Sequence, residues 1–187
     1  MKMPALLAAV VMSAAIALPA HAQTQACLWP GPPEALMDRP SVPDSAMLTI
    51  GGMNVKVCYS RPSARERVIF GELVPFNELW RTGANEPTLL HLPFAASVAG
   101  ADVPAGTYLL FTVPGTEEWT IQLHTSDAPV DEMLADNEEV ARGTVPVESL
   151  DEHVEMFTIH GTGGDTDGEL VLEWERTRVR IPIRRTP

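Results

Sequence analysis

Cationic side chains are scarce in this sequence. Its 187 residues contain 13 Lys and Arg against 25 Asp and Glu, which gives a formal net charge of −12 at pH 7. A surface of this sign repels the phosphates of nucleic acids and of anionic lipids. We therefore expect neither nucleic acid nor an anionic membrane surface as a partner.

Long apolar runs are also missing beyond the N-terminus. Residues 1–22 combine Lys2, the apolar stretch 6–18 and the small-x-small sequence Ala-His-Ala at 20–22, which is the pattern of a secretory signal peptide. The apolar stretch is shorter than the about 20 residues that span a bilayer. The sequence therefore predicts an exported protein, periplasmic or secreted after cleavage near Ala22 and not membrane-spanning.

Only two cysteines are present, Cys27 and Cys58. An even pair in an oxidising compartment predicts a disulfide, which would close a loop of about 31 residues and add roughly 3–4 kcal/mol of stability. Two buried free thiols are the alternative. Neither cysteine has a histidine pattern beside it, so we expect no metal site, and nothing in the sequence implies a cofactor.

Helical periodicity is rare, and residues 128–142 are the only credible helix. Alternation of apolar and polar residues, interrupted by turn residues, instead indicates strands. The predicted strands cover residues 46–50, 53–60, 67–70, 87–98 (one long strand or two bent at Pro93), 107–113, 118–124, 156–160, 169–175 and 176–183. About eight or nine short strands joined by hairpins are typical of an all-β fold, an antiparallel β-sandwich or squat barrel, with at most one short helix.

The residues before these strands form an arm of different composition. Residues 28–45 contain five prolines and little periodicity, which predicts an irregular segment draped on the domain. We therefore divide the chain into a signal peptide (1–22), a Pro-rich N-terminal arm (23–45) and a single β-sandwich domain (46–187).

Arginines are concentrated in residues 58–88 despite the acidic composition. This segment contains Arg61, Arg65, Arg67 and Arg81. Guanidinium groups match carboxylate and phosphate geometry, so a converging set would bind an anionic ligand. The alternative is that each pairs with one of the protein's own carboxylates, which forms an internal lock.

The run Trp-Arg-Thr-Gly-Ala-Asn-Glu at residues 80–86 indicates a loop, since Gly83 permits a turn with positive φ and Asn85 tolerates one. Trp80, Arg81, Asn85 and Glu86 together offer an aromatic platform, a cation, an amide and a carboxylate, which suit a sugar or a peptide terminus. Alternatively, the loop is a hydrogen-bonded part of the core, with Trp80 buried.

Three stretches of the chain resemble the signature of a family of exported bacterial proteins catalogued only as a domain of unknown function. They read SRPSARERVIFGELVPFNELWRTGANEPT, VPAGTYLLFTVPGTEEWT and LVLEWERTRVRIPI, and the likeness covers residues 55–183. One departure is Glu66, where the family typically has glycine. The resemblance implies an exported β-rich domain and supplies no reaction or ligand.

Three hypotheses for function follow. The leading one is a noncatalytic binding module for a small anionic or polar envelope ligand, held by the residues Arg65, Arg67, Trp80, Arg81, Asn85 and Glu86. A second is a hydrolase of peptides or saccharides with Glu86 or Glu72 as general base. A third is a scaffold stabilised by the internal arginine–carboxylate lock. The sequence determines neither a catalytic residue nor an oligomeric state.

Overall fold

The computed structural model describes residues 26–27, 29–126 and 137–187. The predicted signal peptide and most of the predicted helix at 128–142 lie outside these residues. The last part of that prediction is wrong, because residues 139–142 lie in a strand that pairs with residues 122–124.

Within the described residues, the chain forms nine antiparallel strands and one short helix, which confirms the predicted all-β sandwich. These elements are helix α1 (Pro33–Met37) and strands β1 (Val42–Ile50), β2 (Met53–Arg61), β3 (Thr88–Leu92), β4 (Ala96–Val98), β5 (Ala101–Val103), β6 (Gly106–Val113), β7 (Glu118–Thr125), β8 (Glu139–Gly163) and β9 (Asp167–Arg185). The strand order is β1-β2-β3-β6-β7-β8-β9-β4-β5.

The long strand β8 links the two layers of the sandwich. The first layer contains β1, β2, β3, β6 and β7, and the second contains β9, β4 and β5. Its first part, through Pro146, pairs with β7, and its second part, from Val147 to Gly163, pairs with β9. The register with β9 shifts twice between Ser149 and Thr158. Such irregularities bend a strand and increase its twist, so one strand serves both layers.

Several predicted elements differ from the structure in detail. Residues 67–70 form no strand, because the chain closes into a turn over residues 69–74. In this turn the Val74 amide donates to the Ile69 carbonyl (2.9 Å) and the Gly71 amide to the Val74 carbonyl (2.9 Å). Of the two alternatives for residues 87–98, the structure has the second: β3 ends before Pro93 and β4 begins after it. The strand β1 begins at Val42, four residues before its predicted start at residue 46, so the last residues of the predicted arm belong to the sheet.

The core contains an aromatic cluster that the site residues approach. The rings of Phe70 and Trp119 lie 4.9 Å apart, and those of Phe157 and Trp174 lie 5.8 Å apart. Trp119, Phe157 and Trp174 are buried, whereas Phe70 packs at the edge. Edge-to-face contacts of this kind add to the hydrophobic stabilisation, so the turn that carries Phe70 is fixed against the core.

The arm is attached to the sheet near its start. The sulfur atoms of Cys27 and Cys58 lie at disulfide-bonding distance, 1.90 Å, with their Cα atoms 5.6 Å apart. This agrees with the predicted pairing, and it fixes the arm to β2. No helix among the described residues is long and apolar enough to cross a membrane.

Candidate functional site

The loop of residues 80–86 leads from the segment that follows the turn at Phe70 to the strand β3. Trp80 and Thr112 of β6 exchange two backbone hydrogen bonds, of 2.8 and 2.9 Å. The Thr88 amide then donates to the Arg81 carbonyl at 3.2 Å. Because both ends of the loop are paired, the side chains between them are presented from a fixed frame.

Two residues of this loop adopt left-handed backbone geometry. They are Thr82 (φ 56°) and Asn85 (φ 59°), whereas Gly83, expected to supply the positive φ, does not. A Cβ atom at Gly83 would lie 3.1 Å from the Ser60 carbonyl oxygen, so the glycine is needed for close approach. Buried Thr82 is an unusual residue for this conformation, and its hydroxyl lies 3.2 Å from that of Thr112.

Trp80 is half-buried and packs against the aromatic cluster of the core. Its ring stacks on Trp174 with centroids 5.9 Å apart, and it meets Phe157 at 5.1 Å and Trp119 at 6.0 Å. The indole N–H donates to the Gly83 carbonyl at 3.0 Å. The alternative interpretation expected a buried Trp80; the residue is half-buried, and these contacts attach the loop to the core.

Arg67 and Arg81 both donate to backbone carbonyls of their own loops. Arg67 reaches Ala64 (2.9 Å) and Ser63 (2.8 Å), and Arg81 reaches Asn85 (2.5 Å). Both side chains are on exposed residues. These carbonyls have no partner in a strand, so the hydrogen bonds from the charged guanidinium groups hold the two irregular segments in shape.

Arg61 differs from the other three arginines because it forms a salt bridge. It lies 3.3 Å from Asp44 and also donates to the Phe157 carbonyl (3.1 Å) and the Thr158 hydroxyl (2.8 Å). Among the residues that the structure describes, the other three form no salt bridge. These contacts therefore do not form the internal lock in which each arginine pairs with a carboxylate.

Arg65 contributes through its backbone and its side chain. It and Glu66 have left-handed geometry (φ 52° and 60°), and the Arg65 amide donates to a carboxylate oxygen of Glu155 at 2.9 Å. That hydrogen bond is the main reason why the pKa of Glu155 is lowered. The Arg65 guanidinium then reaches the Pro40 carbonyl of the arm at 3.5 Å.

Three consecutive arm residues, 39–41, lie against three of the predicted site residues. The contacts are Arg39 Nη1 to Glu86 Oε1 at 2.7 Å, Arg65 Nη2 to the Pro40 carbonyl at 3.5 Å, and Asn85 Nδ2 to the Ser41 carbonyl at 3.1 Å. We call residues 39–41 the arm segment. The structure thus brings Arg65, Asn85 and Glu86 to one short, bent stretch of the arm.

Arg39 belongs to the site although no sequence pattern predicts it there. It lies 47 positions from Glu86, so no local spacing links the two. The available signal is that Arg39 is the only basic residue of the predicted arm. The Glu86 side chain is 13% exposed, and its second oxygen, Oε2, is buried without a hydrogen-bond partner among the described residues.

The two glutamates of the hydrolase hypothesis are far from equivalent. Glu86 is bound to Arg39, and Glu72 is exposed on the turn after Phe70. A general base needs a free lone pair within reach of the proton that it abstracts. These contacts do not favour catalysis over binding, and the hydrolase hypothesis stays a prediction.

Open clefts are present elsewhere on the surface. Two of them, of about 290 and 360 Å³, share Asp167, Gly168 and Pro182 in their lining, and neither is lined by the predicted site residues. In the part of the chain that the structure describes, no group of three or more His, Cys, Asp or Glu residues could hold a metal ion. Neither of these two clefts coincides with the candidate site, whose residues lie on two loops.

Comparison with known proteins places the chain by its family alone. No curated protein matches it, and no solved structure matches it. A family model matches residues 41–183, from the end of the arm segment almost to the end of β9. This chain belongs to the family described as "Protein of unknown function (DUF2911)".

Proposed function

We propose that the domain is an exported, noncatalytic binding module for a small polar or anionic ligand. The observation that carries this proposal is that Arg65, Asn85 and Glu86 all direct polar atoms to one segment of chain. Two of the three residues of that segment, Arg39 and Pro40, precede the region matched by the family model. The matched domain therefore supplies the polar groups, and most of what they bind comes from outside it.

The roles of the predicted ligand residues follow from their contacts. Glu86 offers a carboxylate to a cationic group, Asn85 offers an amide donor, and Arg65 offers a guanidinium to a carbonyl or carboxylate. Arg81 is exposed beside them. A ligand with both an acceptor and a cationic group suits this set, whether it is an amino acid, a peptide or a substituted sugar.

Arg67 and Trp80 support the site in this proposal. Arg67 holds the 63–67 loop by its own carbonyls, and Trp80 holds the 80–86 loop against the core. Neither needs to touch the ligand, because a site is effective only when the groups that do touch it are positioned in advance.

Export is supported by the signal-like N-terminus and by the cysteine pair. Disulfides persist in oxidising compartments and are rare in the cytosol. The pairing of Cys27 with Cys58 fits an exported protein.

A thermal-shift screen tests the binding proposal. The panel contains amino acids, short peptides, sugars, organic acids and phosphates. A ligand at about 100 times its Kd adds about 2.7 kcal/mol, or roughly 5–10 °C in Tm for a domain of this size. We expect at least one such shift, and we expect Asn85→Gly to remove it, since glycine keeps the left-handed backbone and deletes the amide.

The matched control is Asn77→Gly. Asn77 is also an exposed asparagine with left-handed geometry (φ 63°), on a different loop. Its substitution should leave the ligand shift unchanged. A panel without any shift, together with an Arg81→Ala variant that melts many degrees lower, would contradict binding and support the scaffold hypothesis.

A further inference from the structure

We infer that this site takes a peptide with a basic side chain, and that the arm segment is its built-in occupant. The inference rests on the proposed function and names the ligand class. The arm segment reads Arg-Pro-Ser, and its contacts use one side chain and two main-chain carbonyls. Peptide-recognition sites use the same division, with main-chain hydrogen bonds for affinity and a side-chain contact for specificity.

The ion pair between Arg39 and Glu86 is incomplete, which leaves room for a better partner. Arg39 donates Nη1 to Glu86, but its Nη2 donates to the carbonyl of Pro30 in the arm itself, at 3.1 Å. Glu86 Oε2 has no partner in the described structure. A ligand guanidinium that makes no hydrogen bond to Pro30 could donate to both carboxylate oxygens of Glu86. Such bidentate pairs are stronger than pairs held by one hydrogen bond.

The arm segment is attached to the domain through few apolar contacts. In α1, which precedes it, Leu36 is the buried residue, and Met37 is 65% exposed. The stretch of chain that carries the arm segment is fixed at two points, by the disulfide at Cys27 and by β1 from Val42 onward. The intervening loop can therefore leave the site and return without unfolding the sandwich.

A tethered occupant competes strongly with a free ligand. Short flexible linkers give effective concentrations in the millimolar range. A free peptide of the same sequence must therefore exceed that concentration or bind more tightly. Weakening the tethered Arg39 should accordingly raise the apparent affinity for a free peptide.

The experiment measures binding of a labelled peptide to the full chain with its disulfide intact. The probe is a fluorescent peptide of residues 35–43, capped at both ends, and fluorescence anisotropy gives its Kd. We expect Arg39→Ala to bind it about tenfold or more tightly than the wild-type chain, the size of effect that one charge-assisted hydrogen bond produces. In that background, Glu86→Gln should return the affinity to the wild-type level or below.

Controls separate the site from charge and folding effects. Arg142→Ala removes a guanidinium from another exposed arginine–glutamate pair, Arg142–Glu139 at 2.6 Å, and should bind the probe like the wild-type chain. A probe with alanine in place of its arginine should bind no variant. If Arg39→Ala fails to fold, Arg39→Lys keeps a cation beside Glu86 and loses the guanidinium fork, and an affinity between those of the wild-type chain and Arg39→Ala is expected.

Two results would overturn the inference. One is an Arg39→Ala chain, folded by circular dichroism, that binds the probe no better than the wild-type chain. The other is binding that Glu86→Gln does not change. Either one, combined with an Asn85-dependent shift in the small-ligand panel, leaves the proposed function in place and shows that the arm segment is a structural contact. If the chain shows no peptide binding and the panel shows no shift, both the inference and the proposed function are overturned.

Discussion

His91 of β3 is a titratable side chain that the fold almost encloses, with 7% exposure. Its Nδ1 lies 2.8 Å from the Thr107 hydroxyl, and its Nε2 lies 3.6 Å from the sulfur of Cys58. Burial lowers the pKa of His91, and the nearby Lys56 lowers it further. Folding therefore favours the neutral form of this imidazole over the charged one.

This predicts a specific loss of stability on mild acidification. Because the pKa of His91 is lower in the folded chain than in the unfolded one, the stabilisation is complete above about pH 6.5, the unfolded value. It is lost as the pH falls from there through the folded pKa, at up to about 1.4 kcal/mol per pH unit. Urea unfolding at a series of pH values should show a steeper decline for the wild-type chain than for His91→Gln. A His91→Gln chain whose stability declines with pH as steeply as that of the wild-type chain would contradict this prediction.

At the same scale, the residues of the site were only partly predictable. The sequence identifies Arg65, Asn85 and Glu86 by their chemistry, because few other segments of the chain contain a cation, an amide and a carboxylate together. It does not show that Arg39 meets Glu86, because that contact depends on where a proline-rich arm crosses the domain. It also leaves Trp80 open, since an indole can serve a ligand or a core equally well.

Among the elements, β8 passes unusually close to the β1–β2 hairpin. A Cβ atom at Gly161 would lie 2.8 Å from the Leu48 side chain, and one at Gly163 would lie 2.0 Å from the Thr49 carbonyl oxygen. The Tyr59 hydroxyl joins the same elements, accepting a hydrogen bond from the Ile159 amide at 3.0 Å. Burial raises the pKa of Tyr59 to about 12. The two layers are thus held together by backbone approach and by a buried hydroxyl.

Gly163→Ala should therefore destabilise the sandwich. The obstacle is a backbone oxygen, which cannot rotate away, so we expect a loss of about 1–3 kcal/mol in unfolding free energy. The neighbouring Gly164 gives a matched control, because a Cβ atom there would come no closer than 3.4 Å to Asp167. Chemical denaturation should show a large decrease for Gly163→Ala and a small change for Gly164→Ala. Equal effects would contradict the proposed close approach.

Most strands were predictable because their alternation is regular, as in β2, where Val55, Val57 and Tyr59 share the buried face. The first part of β8 was not, because its residues are mostly polar or exposed and Val145 alone is buried between Glu139 and Val154. Residues 67–70 misled in the opposite way. Val68 and Phe70 suggest a strand, but Val68 is exposed and the backbone closes into a turn.

For the whole molecule, the disulfide joins the arm to a sheet that is otherwise complete. Cys58 is buried in β2, while Cys27 lies 31 residues earlier on the arm. The bond restricts the unfolded chain more than it adds contacts to the folded one. Its effect should therefore appear in overall stability.

We expect the double variant Cys27→Ala, Cys58→Ala to lose roughly 3–4 kcal/mol in unfolding free energy. Equilibrium urea denaturation of the wild-type chain, with and without a thiol reductant, and of the double variant measures this. The reduced wild-type chain should approach the double variant, and the double variant should not respond to the reductant. A wild-type chain that is insensitive to full reduction, verified by thiol titration, would contradict a stabilising bond.

The position of β8 in both layers also governs the order in which the molecule can assemble. The strand β1, at one end of the sheet, packs on β8 and β9, which begin about a hundred residues later in the chain. Contacts of such sequence separation slow folding, because the loop must close before the contacts compensate for it. The first layer has no complete partner until the final strand, β9, is present. Folding should therefore be a late, all-or-none event, on the millisecond-to-second timescale typical of β-sandwiches.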